Sequence, residues 1–209
     1  MINKLKEMSI EEFCQELSSS SPAPGGGSTG ALAAALASSL VSMVANLTIG
    51  KKKYSDVQEK MQNIKEEANK LTKSLLELVD QDTIAFNKVM EAFRMPKKTK
   101  EEKELRTKAI QHAMKGACEV PLEIAKQSVN IASISNKVAR YGNKNAITDA
   151  GVAARLAEAS YFAGVYNVRI NLASIKDKNY VDETKEILCR LKKDLRELVD
   201  PVYEICGKI

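Results

Sequence analysis

The feature that most constrains the fold is an apolar stripe through residues 55–94. Apolar residues recur there at alternating intervals of four and three positions, which is the spacing of one face of an α-helix. The stripe consists of Val57, Met61, Ile64, Ala68, Leu71, Leu75, Leu78, Ala85, Val89 and Ala92. It predicts one long helix that ends at Met95, because Pro96 disfavours helical backbone in the residue before it.

The rest of the chain has the same helical spacing, and no segment alternates long enough to predict a strand. A capping box of Ser9 and Glu12 predicts a short helix that ends near Leu17, and a second box, Thr99 with Glu102, opens another helix. Further helices are predicted over 28–50, 99–142 and 148–173, and from about residue 182 onward. The sequence therefore predicts an all-α bundle of five to six long, mostly antiparallel helices without a sheet, in a single domain over 1–209.

Several residues mark the boundaries and faces of these helices. Pro121 is expected to kink or split its helix, Gly142 to end it and Thr148 to cap the next one. That next helix has an apolar face of Val152, Leu156, Ala159, Ala163, Tyr166, Ile170 and Ala173. The helix from Ser28 has small residues that permit close helix approach and suggest a homodimer: Ala31, Ala34, Ala35, Ser38 and Ser42.

Charge and composition exclude several classes of function. The net charge is only +5, and no aromatic residues are interleaved with basic ones, so a nucleic-acid surface is not expected. The one tight basic cluster, Lys51–Lys53, is either a solvated helix end or an attraction for a polyanionic substrate tail. Residues 17–50 carry no charge, but Ser, Thr, Asn and Gly dilute them, which favours a buried helix over a membrane span.

The cysteine and histidine content gives no metal site. Four scattered cysteines and a single histidine, His112, provide no zinc spacing, and free buried thiols in a reducing cytoplasm are the expectation. The N-terminus has no apolar signal core, so export is not expected and a cytoplasmic location is predicted.

One position of the long stripe is occupied by a carboxylate, Asp82. A carboxylate that faces a core costs several kcal/mol unless it is paired or protonated. Asp82 is therefore either half of a buried ion pair or a carboxyl whose raised pKa suits a general acid or base. Asp80, two residues earlier, lies off the stripe and can be solvated.

Other polar residues occupy positions that continue the helical spacing of the apolar stripes. Arg106 either pairs with a carboxylate or is solvated, and Asp149 either binds substrate or stabilises the first turn of its helix. Asn46 ends the apolar second helix, and Asn171 belongs to a polar stripe with Ser160, Gly164 and Asn167. Asparagine side chains suit an amide-rich ring ligand and interhelical hydrogen bonds equally well.

The stretch PAPGGGSTG at residues 22–30 contains the pattern G-x-G-x-x-G. A dinucleotide site also needs a preceding strand and an acidic residue about 20 positions later, and both are missing. No lysine follows the glycines as in a P-loop. Two interpretations remain. The unblocked backbone N–H groups at a helix N-terminus bind an anion or the polar edge of a ring, or the glycines only form a tight turn before a crowded helix.

The segment SPAPGGGSTGALAAALASSLVSMVANLTIGKKKY resembles the opening of the cyclodeaminase/cyclohydrolase family, a folate-processing domain found at the C-terminal end of formiminotransferase-cyclodeaminase and as free-standing bacterial proteins. Three later segments resemble the same family in the same order: LVDQDTIAFNKVMEAFRMPK, YGNKNAITDAGVAA and YNVRINLASIKD. The resemblance covers nearly the whole chain. It implies an all-helical subunit that forms a homodimer.

The resemblance also implies roles for individual residues. The D-x-x-A-F motif of the family matches Asp82, Ala85 and Phe86, which makes Asp82 the expected catalytic carboxylate. The glycine loop matches positions that contact folate, here Gly25, Gly26, Gly27 and Ser28. Gly142, Asn143, Asn145, Thr148 and Asp149 match two further motifs. The expected substrate-binding residues are these four loop residues with Asn46, Arg106, Asn143, Asp149 and Asn171.

The activity implied by the resemblance is opening or closing of the one-carbon bridge between N5 and N10 of tetrahydrofolate. Neither the methenyltetrahydrofolate cyclohydrolase nor the formiminotetrahydrofolate cyclodeaminase reaction requires a metal or a cofactor besides the folate itself. Because no formiminotransferase domain is attached, the cyclohydrolase is slightly favoured. The folate's glutamate number is left open, so polyglutamylated substrates are included. The competing hypothesis is a non-enzymatic helical interaction protein in which Asp82 and Asp149 form structural pairs.

Overall fold

The structure, a computed structural model, describes residues 4–208 and contains six α-helices and no strand over that range. The helices are α1 (Ile10–Leu17), α2 (Gly26–Asn46), α3 (Gln58–Arg94), α4 (Lys100–Tyr141), α5 (Ile147–Leu172) and α6 (Lys178–Cys206). Short 3-10 turns cover Leu5–Glu7, Lys52–Val57 and Lys144–Ala146. The predicted all-α class is confirmed.

Four of the helices form a bundle in which each packs against two neighbours in the order α2, α3, α4 and α5 around the core, and α6 covers α4 and α5. α3 and α4 are much longer than α2 and α5. Asp82 of α3 lies level with the start of α2, and Gln111 of α4 contacts Ser174 just past the end of α5. Residues 83–110 therefore extend beyond α2 and α5 as a helical hairpin, here called the α3–α4 hairpin.

Most predicted helix boundaries are confirmed. Ser9 and Thr99 each make a complete capping box, α3 ends at Arg94 with Met95 as its C-cap, and Gly142 follows the last residue of α4. α2 begins two residues before Ser28 and ends at Asn46, and Gly50 then adopts a φ of +79° that favours glycine. α6 begins at Lys178, earlier than predicted, because the Asp177 side chain caps it by accepting a hydrogen bond from the Tyr180 backbone N–H.

Thr148 does not cap α5, contrary to the prediction. α5 begins at Ile147, directly after the 3-10 turn Lys144–Ala146, so Thr148 already lies inside the helix. The side chain of Asn143 caps that turn instead, accepting a hydrogen bond of 3.1 Å from the backbone N–H of Asn145.

α4 is not split at Pro121. Proline has no N–H, so the carbonyl of Ala117, four residues earlier, loses its helical donor. The side-chain Nδ2 of Asn171 donates to that carbonyl at 2.8 Å. A side chain of α5 therefore satisfies the carbonyl that the proline leaves free, and α4 continues through it.

Three large residues of the apolar stripe predicted on α5 face away from the core, whereas Leu156 packs against it. Val152, Tyr166 and Ile170 are 51%, 63% and 68% exposed. The buried side of α5 consists mainly of small residues: Ala150, Ala153, Ala154, Ala157, Ser160 and Gly164, with Tyr161, Val165, Val168 and Leu172. The small residues of α2, from Ala31 to Ser42, are likewise buried within the chain, so they serve contacts inside the subunit and not between subunits.

α2 is long and apolar enough to cross a membrane by length and composition, and 61% of its apolar window is buried inside the protein. The four cysteines are free. Cys118 is buried, but Cys14 and Cys189 are exposed, so the expectation of buried thiols is wrong for these two. The cytoplasmic location remains a prediction.

Candidate active site

Asp82 points from α3 toward the first turn of α2. Its Oδ2 accepts hydrogen bonds from the backbone N–H of Ser28 at 3.0 Å and from the Ser28 hydroxyl at 3.2 Å. That hydroxyl also lies 2.9 Å from the carbonyl of Val79, so its single proton is shared between two acceptors. Asp82 thus takes the place of an N-cap side chain for α2, whose own cap residue, Gly25, has none.

The second oxygen of Asp82, Oδ1, lies against Gly27. A Cβ atom on Gly27 would stand 2.5 Å from the carboxyl carbon of Asp82 and closer still to Oδ1. No side chain larger than hydrogen fits between α2 and the carboxylate at this point. A Cβ atom at position 27 would therefore force the Asp82 carboxylate to move.

Burial raises the pKa of the Asp82 carboxyl, and the two hydrogen bonds from Ser28 oppose that shift without cancelling it. No cation within residues 4–208 forms an ion pair with it. Of the two hypotheses for Asp82, the structure supports the carboxyl with a raised pKa and not the buried ion pair. Such a group can accept a proton and return it.

The N-terminus of α2 presents backbone donors beside this carboxylate. The N–H groups of Gly26 and Gly27 have no acceptor within the part of the chain that the structure describes. Gly26 is exposed, and a Cβ atom on it would lie 3.3 Å from the side-chain Nδ2 of Asn167 on α5. Gly25 is different, because a Cβ atom there would meet only the carbonyl of Pro22 at 3.9 Å.

Asn167 is thus the third element of the site, and it is missing from the residues expected to bind substrate. Its Nδ2 donates to the carbonyl of Ala163 at 2.8 Å, which fixes the amide. The sequence placed Asn167 in one polar stripe with Asn171 but gave no means to choose between them. In the structure Asn171, one turn later, serves the carbonyl that Pro121 leaves free.

Arg106 lies in the α3–α4 hairpin and not beside Asp82. Its Nε and Nη2 donate to the backbone carbonyl of Phe93 at 3.3 and 3.0 Å, which ties the start of α4 to the end of α3.

Asn46, Asn143 and Asp149 lie at the opposite end of the bundle. Asn46 is the last residue of α2, about 27 Å from Ser28 at the helical rise of about 1.5 Å per residue. Asn143 is 6% exposed, and its Nδ2 donates to the carbonyl of Leu47 at 3.0 Å. Asp149 is in the first turn of α5, the end remote from Asn167. Within one chain, these three do not join the site at Asp82.

The comparisons with known proteins agree on one family. The family model described as formiminotransferase-cyclodeaminase matches residues 9–189. A methenyltetrahydrofolate cyclohydrolase of Methylorubrum extorquens is 38% identical over 93% of this chain and 94% of its own length. A solved structure of formiminotetrahydrofolate cyclodeaminase from Thermotoga maritima is 32% identical, covers 97% of both chains and has a TM-score of 0.88.

The relatives named formimidoyltransferase-cyclodeaminase are longer proteins. That of Gallus gallus is 35% identical over 88% of this chain but only 34% of its own length. The chain therefore spans about a third of the length of these relatives.

Proposed function

Because the chain belongs to the formiminotransferase-cyclodeaminase family, we propose that its principal reaction within folate one-carbon chemistry is hydrolysis of the methenyl bridge between N5 and N10 of tetrahydrofolate. The chain is a folate one-carbon enzyme, in preference to a non-enzymatic interaction protein. The observation that carries the choice of reaction is the match to a methenyltetrahydrofolate cyclohydrolase along nearly the whole of both chains.

The second candidate reaction is cyclodeamination, in which N10 attacks the formimino carbon and ammonia leaves. The likeness to the solved cyclodeaminase structure favours it, since that likeness also extends over nearly the whole of both chains. Both reactions pass through a tetrahedral carbon bonded to nitrogen, and both need one group that moves protons. One arrangement of residues can therefore serve either reaction.

In the proposed hydrolysis, Asp82 acts as the general base and then as the general acid. Its carboxylate accepts a proton from water as the water oxygen bonds to the bridging carbon. The protonated carboxyl then donates that proton to the departing nitrogen and the C–N bond breaks. The new hydroxyl on the carbon releases its proton to water, and a formyl group remains on the other nitrogen. Proton transfer by a positioned group contributes roughly 10²–10⁴-fold to the rate. A raised pKa suits both halves of this cycle.

The charge of the substrate adds a second role for Asp82. The methenyl bridge is a cation, and the ionised carboxylate opposes that charge at short range. Ser28 holds Oδ2 by two donors, which leaves Oδ1, on the side of Gly27, to exchange the proton. The free N–H groups of Gly26 and Gly27 and the amide of Asn167 are proposed to bind polar edges of the folate ring. Neither reaction changes the oxidation state of the one-carbon unit, so no redox cofactor is proposed.

We also propose that the chain forms a homodimer through the exposed apolar face of α2 and α5. These neighbouring helices, with Leu47 just past the end of α2, present Leu36, Met43, Val152, Tyr166 and Ile170, each of the six at least 37% exposed. We call this set the α2–α5 face. A set of large exposed apolar side chains of this kind is typical of a subunit interface. It replaces the small residues of α2 as the proposed basis of dimerisation.

A two-fold dimer through this face would bring Asn46, Asn143 and Asp149 of one subunit close to the other subunit. With the α2 helices antiparallel, the end of one subunit that carries Asn46, Asn143 and Asp149 would lie beside the Asp82 of its partner. We propose this arrangement because it lets these residues reach the folate bound at the partner's Asp82. Within one chain, Asn46 lies about 27 Å from Ser28 at the start of α2.

The experiment that tests the reaction is an assay of both activities on the purified protein. Loss of the methenyl chromophore reports hydrolysis, and ammonia release from formiminotetrahydrofolate reports cyclodeamination. We expect a higher kcat/KM for the methenyl substrate. A higher kcat/KM for the formimino substrate would reverse the order of the two candidates, and no turnover of either would refute the proposed function.

A further inference from the structure

We propose that the folate lies along α3, with its one-carbon bridge at Asp82 and its negatively charged glutamate tail at the α3–α4 hairpin, where Arg106 binds a carboxylate of the first glutamate. This inference rests on the proposed function and assigns the direction of the substrate and the residue that recognises its tail.

The face of α3 that carries Asp82 continues into the hairpin as an aromatic surface. Phe86 is one turn and Phe93 three turns beyond Asp82, so all three share one side of the helix. α2 begins level with Asp82 and does not cover this side farther along. Phe86 is only half-buried and Phe93 is 43% exposed. An open surface with aromatic rings suits the aminobenzoyl ring that joins N10 of folate to its glutamate.

Arg106 is held at the far end of this surface. Its Nε and Nη2 are fixed on the carbonyl of Phe93, and its guanidinium carbon lies 5.7 Å from the centre of the Phe93 ring. The third guanidinium nitrogen, Nη1, has no acceptor within residues 4–208. A cation fixed in this way loses little side-chain freedom when it binds a carboxylate.

The spacing matches the length of the substrate. Asp82 and Phe93 are separated by 11 positions of α3, or about 16 Å at the helical rise. From N10 of folate to a carboxylate of its first glutamate the covalent path is about 9–12 Å, and a hydrogen bond at each end adds about 3 Å. The two lengths agree, so a folate whose bridge touches Asp82 reaches Arg106 with its tail.

The positive charge of the hairpin tip also favours a folate whose glutamate tail points toward the hairpin. Between Arg94 and Lys108 the chain has seven lysine and arginine residues against three glutamates, which accounts for +4 of the net charge of +5. The basic cluster Lys51–Lys53, considered earlier for a polyanionic tail, lies past the other end of α2. Within the subunit, the positive region nearest to the proposed tail is therefore the hairpin.

The test compares three methenyltetrahydrofolate substrates that carry no glutamate, one glutamate and three glutamates. Arg106→Gln should raise the KM for the one-glutamate substrate at least tenfold, since a hydrogen bond between charged groups is lost. The KM for the substrate without glutamate should not change. Arg190→Gln, at an exposed arginine of α6, is the matched control and should leave all three KM values unchanged.

A second variant tests the hairpin charge separately. Lys97→Gln combined with Lys98→Gln should remove the advantage of three glutamates over one while the one-glutamate KM stays unchanged. An equal rise of KM for all three substrates in Arg106→Gln would make Arg106 a structural clamp and overturn the inference, as would no change in any KM. Lack of turnover by the unmodified protein would instead refute the proposed function.

Discussion

Gly27 and Asp82 pack so closely that the carboxyl carbon of Asp82 lies 2.5 Å from where a Cβ atom of residue 27 would stand. The glycine loop therefore positions the Asp82 carboxylate, whether or not a ligand is bound. It lets α2 approach α3 until the N–H of Ser28 reaches Oδ2 of Asp82 at 3.0 Å. The position of the proposed proton-transfer group is set by a residue without a side chain.

Gly27→Ala should displace Asp82 and lower kcat at least tenfold, because the new methyl group occupies the space of Oδ1 and small misplacements of a catalytic group are costly. Gly25→Ala is the matched control, since a Cβ atom there has room. Steady-state kinetics and thermal unfolding of both variants provide the measurement. Equal activity of the two alanine variants would show that the close approach at Gly27 does not control turnover.

Ser28→Ala should move the acidic limb of the kcat/KM profile to higher pH. The serine hydroxyl favours the ionised form of Asp82, so its removal raises the pKa of a carboxyl that burial already raises. The base is then ionised only at higher pH. Ser39→Ala is the control, because that hydroxyl bonds the carbonyl of Ala35 on the same helix, away from the carboxylate. A limb that stays in place would exclude Asp82 as the titrating base.

Asp82→Asn should stabilise the fold at neutral pH. The pKa of Asp82 is higher in the folded than in the unfolded chain, so ionisation of this carboxyl favours unfolding. The resulting loss of folding stability develops as the pH rises from the pKa of the unfolded chain through that of the folded chain. Urea unfolding should show a more stable variant at pH 7 and a smaller difference near pH 3. A buried ion pair predicts the opposite, a loss of about 3–5 kcal/mol on removal of one partner.

Ile170→Glu should convert the proposed dimer to a monomer, because it places a charge on the α2–α5 face, where Ile170 is 68% exposed. Ile10→Glu in α1 is the control, since Ile10 is 86% exposed and lies outside that face. Sedimentation equilibrium gives the mass. A monomeric unmodified protein would refute the dimer, and a dimeric Ile170→Glu variant would place its interface elsewhere.

Mixed dimers test whether sites are shared between subunits. If Asp149 acts on the partner's site, a heterodimer of an Asp82→Asn chain and an Asp149→Asn chain retains one intact site of two. Its activity should be about half that of the unmodified dimer, since a two-fold dimer has two equivalent sites. Differently tagged chains purified together allow the assay. Activity no higher than that of either variant alone would mean that each site lies within one chain.

The features of the fold that depend on local sequence pattern, such as helix ends and caps, were largely predictable from the sequence. The features that depend on contacts between helices, such as the buried face of α5, were not. The stripe of α3 predicted the length and end of that helix and singled out Asp82, which is half-buried. Both capping boxes formed as expected. Thr148 failed as a cap because the preceding 3-10 turn, capped by Asn143, leads directly into α5. The face of α5 was misassigned because an apolar stripe does not distinguish a core from an exposed face, while glycine, alanine and serine line the tight contacts.

The site itself was only partly predictable for the same reason. Asp82 was identifiable as the one carboxylate in an apolar pattern, and Gly27 and Ser28 stood in a motif. Asn167 and Asn171 occupy equivalent positions of one stripe, and only the neighbouring Pro121 decides that Asn171 has a structural partner. The distance of Asn143 and Asp149 from Asp82 is a property of the whole bundle that local spacing does not contain.

The role of Asp82 in proton transfer is tested by the turnover and folate affinity of Asp82→Asn. The control is Asp80→Asn, at a carboxylate two residues earlier whose Oδ1 accepts a hydrogen bond from the Lys6 backbone N–H. Asp82→Asn should lower kcat for the methenyl substrate by about 10²-fold or more, the range for lost acid–base catalysis. Its affinity for a folate without the cationic bridge, such as 5-formyltetrahydrofolate, should be retained, and Asp80→Asn should keep both properties. Turnover by Asp82→Asn within a few-fold of the unmodified protein would contradict the account.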